Sequence, residues 1–152
     1  MNKLKFALIA LKCMFWSGAF AQNPEEEAIK RTINQLFEGM RKADSTLVLN
    51  TFNDGAILQT IAKNKEGNTL VKSTNLNVFA SIAKPHPEIY DERIVFTKIL
   101  IDDNLASVWT DYKFYIGEKF SHCGVNSFQL VKTENGWKIV YLIDTRRKEK
   151  CN

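Results

Sequence analysis

The stretch Phe120 to Arg147 constrains this chain more than any other. It reads as two long strands joined by a tight turn, with polar residues spaced along one face. Asn135-Gly136 is a preferred two-residue hairpin turn, because both central positions of such a turn take positive φ. Val125 to Lys132 before it and Trp137 to Thr145 after it are rich in strand formers. A turn at Asn135-Gly136 sets Glu134 opposite Trp137, Leu130 opposite Tyr141, Phe128 opposite Ile143, Asn126 opposite Thr145 and Gly124 opposite Arg147. Side chains alternate along a strand, so these pairs share one face. Its lower part is apolar (Phe128, Leu130, Trp137, Ile139, Tyr141, Ile143). Its upper part is polar (His122, Asn126, Thr145, Arg147). An apolar floor below a polar rim is the usual lining of a small-molecule pocket.

The preceding loop sets a second register. A two-residue turn after Ile116 places Lys113 beside His122 in the core. A three-residue loop, Gly117-Glu118-Lys119, pairs Ile116 with Phe120, Phe114 with His122, Tyr112 with Gly124 and Thr110 with Asn126. The second register keeps the Lys113 charge in water and is the one expected. Thr110, Asn126 and Thr145 then form a polar row across three strands, with Tyr112 and Arg147 flanking Gly124.

The opposite face of the same strands carries Trp109, Asp111, Val125, Ser127, Gln129, Val131, Val140, Leu142, Asp144 and Arg146. That is too apolar for a wet face, and such patches mark interfaces. The expectation is a homodimer through Trp109, Val125, Gln129, Leu142 and Arg146.

Toward the N-terminus, Lys3 and Lys5 precede a mostly apolar run from Phe6 to Trp16, and Ala19-Phe20-Ala21 is a small-x-small cleavage site. Residues 1–21 read as a secretory signal peptide cleaved after Ala21. The run is shorter than the roughly 20 residues that span a bilayer, so no stable membrane anchor is expected after processing. Export would place the chain in a periplasmic or secreted setting. Removing Lys3, Lys5 and Lys12 lowers the formal net charge from +4 to +1, with 18 basic residues against 17 acidic. Little then remains to attract nucleic acid over long range. Two cysteines stay in the mature chain, and an oxidising compartment permits a Cys123–Cys151 disulfide. The alternative is a buried thiol and a tail thiol. Two cysteines and two scattered histidines give no metal-ligand spacing, and no metal or cofactor is expected.

Residues 22–152 are of a length that suits one domain with a real core. Asn23 caps a helix, Pro24 occupies its first turn, and Glu25, Glu26 and Glu27 complement its dipole. Ile29, Ile33, Leu36, Phe37 and Met40 follow at helical spacing, and the helix is expected to end near Lys42. Asp44 caps a second helix from Ser45 to Phe52. Asn53-Asp54-Gly55 reads as a turn, Ala56 to Ala62 and Thr69 to Lys72 as strands, and Ser73 or Thr74 as the cap of a third helix reaching Lys84. Pro85-His86-Pro87 stops that helix. Glu88 to Asp102 and Leu105 to Ile116 are long strands. The whole is an α+β arrangement.

This order of elements resembles the cone fold of the nuclear transport factor 2-like superfamily, over about Pro24 to Arg147. More narrowly, Trp109 with Tyr112, then Ser121-His122-Cys123-Gly124-Val125-Asn126, Phe128-Gln129-Leu130 and Gly136-Trp137-Lys138-Ile139 through Asp144-Thr145-Arg146-Arg147, resembles a bacterial subgroup labelled lumazine-binding or SnoaL-like. The resemblance implies a cystatin-like cone, with three N-terminal helices on a strongly curved, mixed or antiparallel sheet. The superfamily holds ketosteroid isomerase, scytalone dehydratase and polyketide cyclases beside proteins that catalyse nothing, so the fold alone does not give the function.

Three readings stay open at this point. In the first, the chain is an exported small-molecule-binding protein, with Thr110, Tyr112, His122, Asn126, Tyr141, Thr145 and Arg147 around the ligand. In the second it is a cofactor-independent isomerase, dehydratase or cyclase with His122 as acid or base. The register places no Asp or Glu on the inner face, so a carboxylate base is not expected. In the third the cone is filled by its own side chains, which inward Asn and His oppose, since buried polar groups need partners.

Overall fold

The computed structural model describes residues 23–85 and 87–151. The signal peptide expected over residues 1–21 and its cleavage site lie outside them, as does His86. Helix α1 (Pro24–Lys42) starts at Asn23, whose side chain accepts from Glu25 N at 3.0 Å. Glu25, Glu26 and Glu27 fill its first turn. It ends at Ala43, which takes the left-handed conformation. Asp44 caps α2 (Ser45–Asn50) by accepting from Leu47 N. Gly39 lets the two helices touch, since a Cβ there would lie 2.8 Å from Val48 Cγ2.

Six strands form one mixed sheet: β1 (Phe52–Lys63), β2 (Thr69–Thr74), β3 (Tyr90–Asp102), β4 (Leu105–Ile116), β5 (Lys119–Thr133) and β6 (Gly136–Thr145). Their order is β2-β1-β6-β5-β4-β3. β1 runs parallel to β6, and every other neighbouring pair is antiparallel. α1 covers the inner face, and the core there joins Ile29, Ile33, Leu36 and Phe37 to Val108, Phe128, Leu130 and Ile139. The third helix is shorter than expected. α3 (Leu76–Ala80) is capped by Asn75 and continues as one 3-10 turn, Ser81–Ala83. Its start moves because Ser73 and Thr74 stay extended, paired with Gln59 and Leu58.

Asn53-Asp54-Gly55 does not break the chain either. It bulges within β1, between the pairs Phe52–Ile139 and Ile57–Tyr141, with Gly55 at φ +76°. The last hairpin differs from expectation in a way that matters for function. Its turn is Glu134-Asn135, and only Gly136, at φ +88°, has positive φ. Thr133 therefore pairs with Gly136 and Lys132 with Trp137. The register then shifts at Val140, so that Gln129 pairs with Tyr141, Phe128 with Leu142 and Asn126 with Asp144. One residue of slip exchanges the faces. Leu142, Asp144 and Arg146 turn inward, while Tyr141, Ile143 and Thr145 turn outward. The β4–β5 hairpin has a two-residue turn, Gly117-Glu118, pairing Ile116 with Lys119, and an irregularity at Ser121 restores the expected pairs above it. Phe114 meets His122, Tyr112 meets Gly124 and Thr110 meets Asn126, while Lys113 is exposed.

Candidate functional site

A cavity of about 760 Å³ opens between the inner face of the sheet, α3 and the residues that follow β6. Val78, Phe79 and Ile82 form one wall, and Tyr90, Phe114 and Ile116 form another. Glu92, His122, Asp144 and Arg146 supply its polar groups, with Arg147 and Lys148 also bordering it. A volume of this size suits a drug-sized organic molecule.

Glu92 is the residue that sequence reasoning missed. It lies on β3 in phase with Ile94 and Phe96, paired with Phe114. Asn126 Nδ2 donates to Glu92 Oε1 at 2.8 Å and lies 3.4 Å from Thr110 Oγ1. Burial pushes the Glu92 carboxyl up to about 7; the Asn126 hydrogen bond opposes the rise and nearby Asp144 adds to it. A carboxyl of that kind changes charge near neutrality. The alternation Tyr90, Glu92, Ile94, Phe96 was the signal that could have found it.

Asp144 is held from two sides. Arg146 Nε donates to Asp144 Oδ2 at 3.0 Å, and the Tyr112 hydroxyl lies 3.2 Å from the same oxygen. The Tyr112 hydroxyl donates to Thr145 O at 2.8 Å, and its ring is buried. Burial, with Asp144 and Glu92 nearby, raises the Tyr112 pKa, so the phenol keeps its proton. Gly124 makes this possible. A Cβ there would lie 1.8 Å from Thr145 O and 2.6 Å from Tyr112 Cε1. His122 lies against Phe114 with ring centroids 5.0 Å apart, and its Nδ1 is in hydrogen-bond contact with Ser121 Oγ at 3.0 Å. Burial, then Arg146, lowers its pKa from the ordinary 6.5 against the opposing Asp144, and the net lowering favours the neutral imidazole.

Of the residues expected around a ligand, His122 lines the cavity. Thr110 and Asn126 lie buried beneath it; Asn126 holds Glu92 and lies 3.4 Å from Thr110 Oγ1. Tyr112 braces Asp144 from the interior. Tyr141 does not line it: its hydroxyl donates to Gln59 Oε1 on the outer face. Thr145 is likewise outside, its Oγ1 accepting from Val125 N at 3.1 Å. Arg147 also lines the cavity, and its Nε donates to Lys150 O. Two residues assigned to an outer interface, Leu142 and Arg146, face inward for the register reason given above; Leu142 is 8 % exposed and belongs to the core. Trp109, Val125 and Gln129 remain on the outer face. The expectation of no inward carboxylate is overturned by Glu92 and Asp144 together.

The rim after β6 is fastened. Cys123 and Cys151 are joined by a disulfide, with Cα atoms 5.8 Å apart. Cys123 and Arg147 exchange two backbone hydrogen bonds, at 2.9 and 2.8 Å. Among the described residues no group of three or more His, Cys, Asp or Glu could hold a metal ion, and no helix is long and apolar enough to cross a membrane.

No protein-family model matches the sequence, and no curated protein matches it. Solved structures match it along most of its length. A nuclear transport factor 2-like protein of unknown function from Shewanella baltica OS155 superposes with a TM-score of 0.62 at 20 % identity, covering 82 % of this chain and 95 % of that one. A nuclear transport factor 2-like protein with a cystatin-like fold from Novosphingobium aromaticivorans gives 0.67 at 8 % identity, over 83 % and 84 % of the two chains. A conserved protein from Planctomyces limnophilus gives 0.63 at 18 % identity, over 81 % and 96 %. Likeness at such identities is likeness of fold.

Proposed function

We propose that this chain, whose fold is the cystatin-like fold of the nuclear transport factor 2-like proteins, is an exported small-molecule-binding protein. The observation that carries the reading is the cavity itself, about 760 Å³ with apolar walls and a polar group of Glu92, His122, Asp144 and Arg146. Few polar groups converging in an apolar hollow fix the orientation of a ligand. The signal peptide expected over residues 1–21 and the Cys123–Cys151 disulfide both support export, since disulfides persist in oxidising compartments. A homodimer through the outer face, around Trp109, Val125 and Gln129, belongs to the same reading. Trp109 is 48 % exposed there.

Native mass spectrometry of gently purified protein tests this reading. The expected result is a retained small-molecule mass on the native chain and none on an Ile82→Trp variant, whose indole fills the hollow. Equal retained mass on both proteins, or none on either, would count against the cavity as a binding site.

One observation favours a second reading. A carboxyl titrating at about 7 inside a half-dry hollow suits proton transfer. The chain would then be a cofactor-independent isomerase, dehydratase or cyclase, with Glu92 or His122 moving the proton. Its signature is a turnover that Glu92→Gln or His122→Ala abolishes while the variant melts no lower than the native protein.

A further inference from the structure

The cavity is not electrically even. Its charged lining is Glu92, Asp144, Arg146, Arg147 and Lys148. Asp144 is matched by Arg146, which also reaches Thr60 Oγ1 at 3.5 Å. Glu92 is half neutral near pH 7 because burial holds its proton. Lys148 is exposed, borders the cavity, and forms no ion pair among the described residues. Burial and Arg146 lower the His122 pKa, Asp144 opposes them, and Lys148 adds a smaller lowering, which places its charge within reach of the ring. A positive excess is therefore concentrated at the His122 end.

The two ends are in line. Glu92 pairs with Phe114 and Phe114 with His122, so the three side chains occupy one row across β3, β4 and β5. Two strand spacings separate Glu92 from His122, about 10 Å. Phe114 stands between them in the register, its ring 5.0 Å from His122 and 5.7 Å from Tyr90, centroid to centroid. Phe79 and Ile82 close the opposite side. A flat body lying along Phe114 spans that row.

We propose that the cavity takes an organic carboxylate with a flat apolar body, the body along Phe114 and the carboxylate at the His122–Lys148 end. This inference rests on the binding reading above and narrows it to a ligand class. The neutral His122 ring and the Ser121 hydroxyl supply polar contacts beside the Lys148 ammonium. At the far end Glu92, held from beneath by Asn126, meets whatever polar edge the body carries.

Isothermal titration of the disulfide-intact protein at pH 6.5 with three probes of one body tests it: 2-naphthoate, 2-naphthamide and 2-naphthylmethylammonium. A charge-assisted contact outweighs its neutral counterpart, so the naphthoate is expected to bind about tenfold tighter than the amide, and the ammonium least tightly. Lys148→Gln is expected to close the gap between naphthoate and amide by weakening the naphthoate far more than the amide. Equal or tighter binding of the amide or the ammonium overturns the anion assignment and leaves the binding reading standing. A gap that persists in Lys148→Gln overturns the placement of the head group. No heat from any probe at millimolar concentration overturns the binding reading and this inference together.

Discussion

Asn126 Nδ2 donates to Glu92 Oε1 across 2.8 Å, and this bond joins the middle of the sheet to its β3 edge beneath the cavity. It holds in place a carboxyl that burial makes reluctant to ionise. Its charged neighbours are Asp144, which opposes ionisation, and Arg146, which favours it; the buried Tyr112 phenol stands nearby.

The first prediction concerns stability against pH. The Glu92 pKa is about 7 in the folded chain against an ordinary 4.5. Between those values the folded state binds more protons than the unfolded state, so stability falls as pH rises. The contribution of the neutral carboxyl is whole below 4.5 and is lost as pH passes about 7. Its size is at most about 3 kcal/mol, and less with partial solvent access. Glu92→Gln keeps an acceptor for Asn126 and removes the ionisation. The variant is expected to melt above the native protein at pH 8 and close to it at pH 4.5. Parallel melting curves across that range would refute a buried, reluctant carboxyl.

A second prediction contrasts two glycines. Gly124→Ala drives a methyl into Thr145 O and the Tyr112 ring, a clash with backbone that cannot be relieved by a rotamer change. The expected cost is about 3 kcal/mol. Gly136→Ala meets open space and suffers only its φ of +88°, for about 1 kcal/mol. Urea unfolding measures both. Equal costs would mean that Tyr112 does not depend on Gly124.

How far the sequence reached is clearest at three places. The extent of β4 and its inner pairing with β5 were legible from the cost of burying the Lys113 charge, but the expected three-residue loop was not borne out: the turn is Gly117-Glu118, and the extra residue sits at Ser121 instead. The inner face of β6 was not. Gly136 follows the turn instead of sharing it, Val140 adds a bulge, and no local signal marks either, so Asp144 and Tyr141 exchange sides. Glu92 was legible in principle from its phase with Ile94 and Phe96, but its neighbours arrive from distant segments. Asn126 is 34 residues away along the chain, and α3 and Lys148 come from opposite sides of it. A cavity assembled that way leaves no pattern in any one stretch.

The third prediction follows from the disulfide. Cys123 and Cys151 are 28 residues apart in sequence. A bond closing a loop of that length stabilises by about 3.5 kcal/mol in the chain-entropy account. Reduction, or Cys151→Ser, is expected to lower the urea midpoint accordingly. It also frees the segment that carries Arg147 and Lys148, so any retained anionic ligand is expected to leave faster. Stability lost with an unchanged dissociation rate would separate the tail from the cavity.

The last prediction tests the outer face. Trp109 is 48 % exposed, and on β3 beside it Leu100 is 56 % and Val95 64 % exposed. Lys98, Leu100, Trp109 and Ser127 line a shallow apolar depression there. A second copy seated on that face would remove the indole from water. Trp109→Glu is then expected to convert a dimer to a monomer in light scattering, with monomer stability changed by no more than about 0.5 kcal/mol, as at other exposed sites. Leu142→Glu provides the contrast. In the register first expected, it would stand on the same face and give the same monomer. In the structure Leu142 is 8 % exposed among the core residues. A charge there has no partner, so the chain is expected to unfold or melt far lower. Folded monomers from both variants would restore the unshifted register, and a native protein already monomeric at high micromolar concentration would remove the interface.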